Sequence, residues 1–247
     1  MSLGSTRARR LVILVLPLLF LAWMQSIKFR SLPTYLDINY ENHIVQNLQV
    51  FLYSIAAILL FVGARRFAAQ PARMRWVVLA AALVVVFIIG EEIQWGQYLF
   101  HLQPSGFFAK NNVEHEINLH NLAGVDSRLD YLYIVIGLVG GFAWQLPGRL
   151  MKWLPLREWF IPPWFMMFYF LPLAAYGFLW KVLTKAEFLG GLFNVWKPFL
   201  GRSLSYADQE PAELLFASAC VMLALGILEL TRSKSQSQNT KPSQTDS

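Results

Sequence analysis

Six apolar runs, at residues 11–27, 48–62, 76–100, 129–146, 161–183 and 212–230, leave this chain almost no way to fold in water. A helix that crosses a bilayer needs about 20 mostly apolar residues, and each run meets or approaches that length. The first two are short and would stand nearly upright or extend into their polar flanks. Only 15% of the chain is charged against 56% hydrophobic, where a soluble domain carries about a quarter charged residues. The expected fold is all-α: a polytopic integral membrane bundle of about six transmembrane helices, one domain over residues 1–232. Nothing that remains is large enough for a separate soluble domain. Residues 233–247, rich in Ser, Gln, Lys and Thr without apolar periodicity, read as a disordered cytoplasmic tail.

The formal charge of +6 is placed, not spread. Basic residues gather in Arg7-Arg9-Arg10, Arg65-Arg66-Arg73-Arg75, Arg149-Lys152-Arg157 and Arg232-Lys234, at the two ends and in alternate loops. This positive-inside pattern puts both termini in the cytoplasm and residues 28–46, 101–128 and 185–211 on the outer side. A bacterial inner membrane is the expected location. No basic stripe is interleaved with aromatics, so nucleic acid is not an expected partner. Cys220, the single cysteine, excludes an intrachain disulfide and reads as a small core residue. The basic-then-apolar start also has the form of a signal peptide. Trp23-Met24-Gln25 offers no small-residue cleavage site, and a retained first helix is expected. Residues 150–160, with Trp153 and Trp159, suit a helix lying on the inner interface. Residues 188–206, broken by Gly190-Gly191 and Pro198, suit an outer interfacial or re-entrant element.

Chemistry concentrates where the third run ends. From Trp76 to Ile89 the run is wholly apolar, and then it carries Glu91 and Glu92 side by side. Carboxylates in a membrane helix are costly and persist where they pair, bind a cation or face water. With Trp76 at the inner interface they lie about 22–24 Å across a hydrocarbon core of roughly 30 Å. If the helix continues, Glu91, Gln94, Tyr98 and His101 form one polar stripe, and Glu92 turns aside toward Trp95, Gly96 and Leu99. Gly90 and Gly96 would admit a neighbouring helix. Pro104-Ser105-Gly106 then breaks the helix, and Glu116 and His120 follow, which in a helix share one face. All four histidines (His43, His101, His115, His120) fall on the outer side or just beneath it.

From these residues a site is expected with Glu91, Glu92 and His120 as catalytic groups. Glu91, Glu116 and His120 would ligate Zn²⁺ or another divalent cation. Trp95, Gln97, Tyr98 and His101 would form a substrate groove, with Phe107-Phe108 lining its acyl or isoprenoid part. Against this stands a buried polar clamp tying the third helix to the outer loop. Asp208, Glu210 and Glu213 are expected to cap the last helix, and Glu41, His43 and His115 to be solvated.

The order Gly90-Glu91-Glu92-x-x-Trp95-Gly96-Gln97, then Glu116-x-Asn118-Leu119-His120-Asn121, resembles a family of bacterial polytopic membrane proteins carrying G-E-E-x-x-W-G-Q and E-x-N-L-H-N. The likeness covers residues 90–121, and the family brings no activity with it. Upstream, Asn39-Tyr40-Glu41-Asn42 stands where that family suggests a more acidic run. A remoter likeness is to the alkaline-ceramidase-like membrane hydrolases, which set a zinc among membrane helices; their H-x-x-x-H is absent here. The leading expectation is a metal-dependent hydrolase or transferase acting on a lipid or lipid-linked substrate. A non-enzymatic accessory or scaffold subunit that docks a partner membrane protein comes second. A cation- or proton-coupled carrier comes third, because the inner half of the third helix offers no polar path.

Overall fold

The computed structural model describes residues 7–40, 43–67, 72–112, 115–146, 161–180 and 206–239. Eight α-helices are defined among them: α1 Arg7–Arg30, α2 Leu32–Ile38, α3 Ile44–Arg66, α4 Ala72–Glu92, α5 Gly106–Asn111, α6 Asp126–Phe142, α7 Leu171–Phe178 and α8 Gln209–Asn239. No strand forms among the described residues; an isolated bridge pairs Asn112 with Leu122. Four helices, α1, α3, α4 and the Gln209–Thr231 part of α8, are long and apolar enough to cross a membrane. Their outward faces carry exposed Leu, Val, Ile and Phe, among them Leu19, Ile58, Leu83 and Val84. Such apolar surface is what a bilayer requires of an integral protein.

Four of the six expected runs, at residues 11–27, 48–62, 76–100 and 212–230, form such helices, with their ends revised. α1 and α3 extend beyond residues 11–27 and 48–62 into polar flanks, because a formed helix adds residues at little cost. The same reason carries α8 to Asn239, where a disordered tail from residue 233 was expected. Residues 240–247, 150–160 and 188–205, with the elements expected there, lie outside the described residues, as does Glu41. The third run stops early: α4 ends at Glu92, not near Phe100. The fifth run is not one long helix. Pro162-Pro163 precede a 3₁₀ segment, Trp164–Tyr169, and Pro172 opens the short α7, since proline fits a first turn but not a helix interior.

Packing divides the molecule in two. α3 lies between α4 and α8, with Ala56, Ala57, Ala64, Ala82, Ala217 and Ala224 buried at the contacts. Small side chains let membrane helices approach closely. α6 packs along α7, and Gly137 faces the backbone of Ala174 there. Phe165, Phe170 and Leu215 join the second unit to α8. Three polar contacts fix how the helix ends are arranged. Lys28 binds Asp208, Gln46 binds Glu92, and Gln49 binds Glu210. The end of α1, the start of α3, the end of α4 and the start of α8 therefore meet at one face. Arg9-Arg10, Arg65-Arg66 and Arg73-Arg75 sit at the opposite helix ends.

A Cβ on Gly137 would stand 2.5 Å from the backbone nitrogen of Ala174, whereas on Gly63 its nearest neighbour is a side-chain methyl at 3.5 Å. Gly137→Ala should lower thermal stability in detergent by about 1–3 kcal/mol. Gly63→Ala should leave it unchanged or raise it. Equal melting curves for both variants would refute the α6–α7 packing.

Candidate functional site

The last turn of α4 carries two carboxylates where the helix dipole disfavours negative charge. Glu91 is only 6% exposed. Its cost is met by four donors converging on it. The Trp95 indole N–H donates to Oε1 at 2.7 Å. The backbone N–H groups of Leu119 and His120 donate to Oε2 at 2.7 and 3.0 Å, and His120 Nδ1 lies 3.4 Å from the same oxygen.

That convergence depends on how α4 ends. Gln94, Trp95 and Gly96 all take left-handed backbone conformations, with φ of 48°, 52° and 85°. Glycine adopts this freely, while the two side-chain-bearing residues are strained there. The turn folds Trp95 back over the helix end, onto Gly90, where a Cβ would meet the indole at 2.9 Å. The close approach at Gly90 is therefore made by Trp95 of the same chain and not by a second helix. Gly96 serves the turn. The expected stripe of Glu91, Gln94, Tyr98 and His101 does not form, because the helix it needs has ended.

Glu116 organises the loop that follows. Its oxygens accept from the amides of Gln94 at 2.6 Å, Asn118 at 2.7 Å and Asn121 at 3.0 Å. Asn112 accepts from the Glu116 N–H at 3.0 Å and donates to Asn118. Gln97 accepts from the Ile117 N–H at 2.6 Å. The loop is irregular rather than helical, so Glu116 and His120 do not share a helix face. Among the described residues no three His, Cys, Asp or Glu side chains are grouped to hold a metal ion. Both oxygens of Glu91 and of Glu116 already accept protein donors. The expected set of Glu91, Glu116 and His120 does not fit Zn²⁺ or another divalent cation.

Beside this loop opens a cavity of about 850 Å³. Glu91, Glu92, Glu116 and His120 reach its wall from one side, and Glu210 and Glu213 from the head of α8. Gln46 donates to the carbonyl and the carboxylate of Glu92, each at 3.2 Å. Gln49 donates to the carbonyl and carboxylate of Glu210 at 2.9 Å. Glu213 accepts from Tyr133 and from Gln209, the latter at 2.8 Å. Asp208 pairs with Lys28 at 2.6 Å and accepts from Tyr35 at 2.6 Å. None of the three acids is confined to capping; each bonds a side chain of another helix. Gln46, Gln49, Asp130, Tyr133 and Gln209 were not anticipated. The signal for several of them was present: Gln46/Gln49 and Glu210/Glu213 each stand three apart, one polar face on an apolar helix.

Of the expected groove, Tyr98 lines the cavity. Gln97 is engaged with the loop, Trp95 covers the helix end, and His101 is exposed. Phe107 and Phe108 pack edge to face on each other, outside the cavity wall. His43 and His115 are exposed, as expected of solvated residues.

Burial alone would depress His120, but the Glu91 carboxylate, with the charges of Glu92 and Glu213, holds its imidazole above the usual 6.5. A pKa raised on folding gives stability that is fully present below about 6.5 and lost as pH rises through the folded value. After correction for intrinsic rates, amide exchange at Leu119 and His120 should therefore accelerate as pH rises through the folded His120 pKa, and His120→Gln should flatten that dependence. Glu91→Gln should speed exchange at both amides tenfold or more, since a bond to a charged acceptor contributes about 1.5–3 kcal/mol. Unchanged exchange in Glu91→Gln would show that this carboxylate does not hold the loop. No family model, curated protein or solved structure matches this chain.

Proposed function

We propose that this integral membrane protein binds an amphiphilic, lipid-like substrate in the acidic cavity and hydrolyses or transfers part of it. His120 is the group that moves the proton. The observation carrying this reading is the Glu91–His120 pair, 3.4 Å apart, held by a loop clamp at the wall of an 850 Å³ cavity. With Nδ1 turned to the carboxylate, Nε2 is left as the base. It takes a proton from water as the water oxygen bonds to the scissile carbon, and returns that proton to the leaving group as its bond breaks. A pKa lifted above the usual 6.5 strengthens this imidazole as the base that takes the proton. The clamp and the site are then one device: Glu91 and Glu116 position the loop, and His120, Glu92 and Glu213 face the cavity.

Purified protein in nanodiscs of a bacterial polar-lipid extract should deplete one lipid class and release a smaller product, read by mass spectrometry. His120→Ala should slow this by about 10²–10⁴-fold. Identical lipid profiles with wild type and His120→Ala would remove the enzymatic reading and favour an accessory subunit.

We also propose six crossings, with both termini cytoplasmic in a bacterial inner membrane. The alternation of α1, α3, α4, α6, the 164–178 segment and α8 supports this. So does the collection of basic residues at the helix ends away from the cavity. In a Cys220→Ser background, Gln103→Cys should react with an impermeant maleimide on intact cells and Arg66→Cys should not. The opposite pattern would invert the topology.

A further inference from the structure

We infer that the ligand of this cavity is an amphiphile with an amine-bearing, hydrogen-donating headgroup, admitted sideways from the membrane between α4 and α6. The inference rests on reading the cavity as a substrate site and names what enters it. The first observation is charge. Glu91, Glu92, Glu116, Asp130, Glu210 and Glu213 reach the wall, and among the described residues no Lys or Arg lines it. An anionic headgroup would face six carboxyl groups there against the single imidazole of His120. A cationic donor would be matched on several sides.

The second observation is independent of the acids. Asn39, 2% exposed, lies on the same wall, and its Oδ1 has no hydrogen-bond partner. Its Nδ2 is already committed to the Tyr35 carbonyl at 2.8 Å. A buried acceptor left unmet is costly and calls for a donor. An ammonium or hydroxyl from a ligand supplies one, and a phosphate or carboxylate does not.

The third observation gives the route. α4 packs along α3, and α6 packs along α7, with no extensive packing between α4 and α6. Apolar residues of both helices line the cavity: Phe87 and Ile88 from α4, and Leu129, Leu132 and Ile136 from α6. Phe87 is 44% and Leu132 50% exposed. An apolar cleft thus leads from the hydrocarbon to an acidic floor, the shape and polarity of a chain with a charged head.

The test is thermal stability of the full-length protein in neutral detergent with octadecylamine, octadecanol, octadecanoate or ethylamine at equal concentration. Octadecylamine should give a saturable rise in Tm, octadecanol a smaller one, and octadecanoate and ethylamine none. Leu132→Trp, which narrows the cleft from its exposed side, should weaken the octadecylamine effect at least tenfold in half-saturating concentration. Glu92→Gln with Glu213→Gln should do the same from the floor. Should the double variant fail to fold, Leu132→Trp alone decides. Equal stabilisation by octadecanoate, or by ethylamine, or an octadecylamine effect untouched by Leu132→Trp, overturns the inference. Octadecylamine binding without lipid turnover would keep it while removing the enzymatic reading. Turnover of an anionic lipid without octadecylamine binding would do the reverse.

Discussion

A carboxylate at the C-terminal end of a membrane helix is opposed twice, by the low dielectric around it and by the negative pole of the helix. Glu91 is tolerated there because an indole, two backbone amides and an imidazole all turn toward it. Each of those donors had to be brought in by a distortion of the chain. The left-handed turn at residues 94–96 delivers Trp95, and the loop after Asn112 delivers Leu119 and His120. The local geometry of the face where these helix ends meet follows from satisfying this group.

Glu116 repeats the logic one step further out. Three amide side chains saturate it, and the asparagines that do so also bond one another. Nearly every polar atom of this buried network has a partner, the side-chain oxygen of Gln94 being left without one. The result is a stiff loop without regular secondary structure. Its stiffness lets His120 stand at the cavity wall on a segment that neither helix nor sheet supports.

How much of this could be read from the chain depends on which force decides each part. Helix positions were legible for α1, α3, α4 and α8 because burial of apolar side chains in lipid dominates there. The end of α4 was not, since Trp95, Tyr98, Leu99 and Phe100 continue the apolar pattern, and only Gly96 hints at a reversal. The helix break at 161–171 was signalled by Pro162, Pro163 and Pro172 but outweighed by hydropathy. For the site, the meeting of Glu91 with His120 was expected from position alone. The role of Glu116 was mistaken because the E-x-x-x-H spacing was read on a helix. The clustered Asn112, Asn118 and Asn121 mark a loop of side-chain amides instead. The acids at the head of α8 were taken for caps because the spacing of Glu210 and Glu213 shows a shared face but not the partners, which tertiary contacts decide.

The cavity has walls of unequal character. Its acids and their glutamine partners sit mainly on α3, α4, α8 and the clamped loop, tightly packed together, while α6 and α7 contribute largely apolar surface. Tyr133 reaches across to Glu213. The ionisable groups are thus gathered mainly in one half of the molecule, and the other half supplies most of the contour. Drift along the α6–α7 wall can reshape what the chamber accommodates while the spacing of the ionisable groups stays put, which gives such a scaffold a ready path to new molecular preferences.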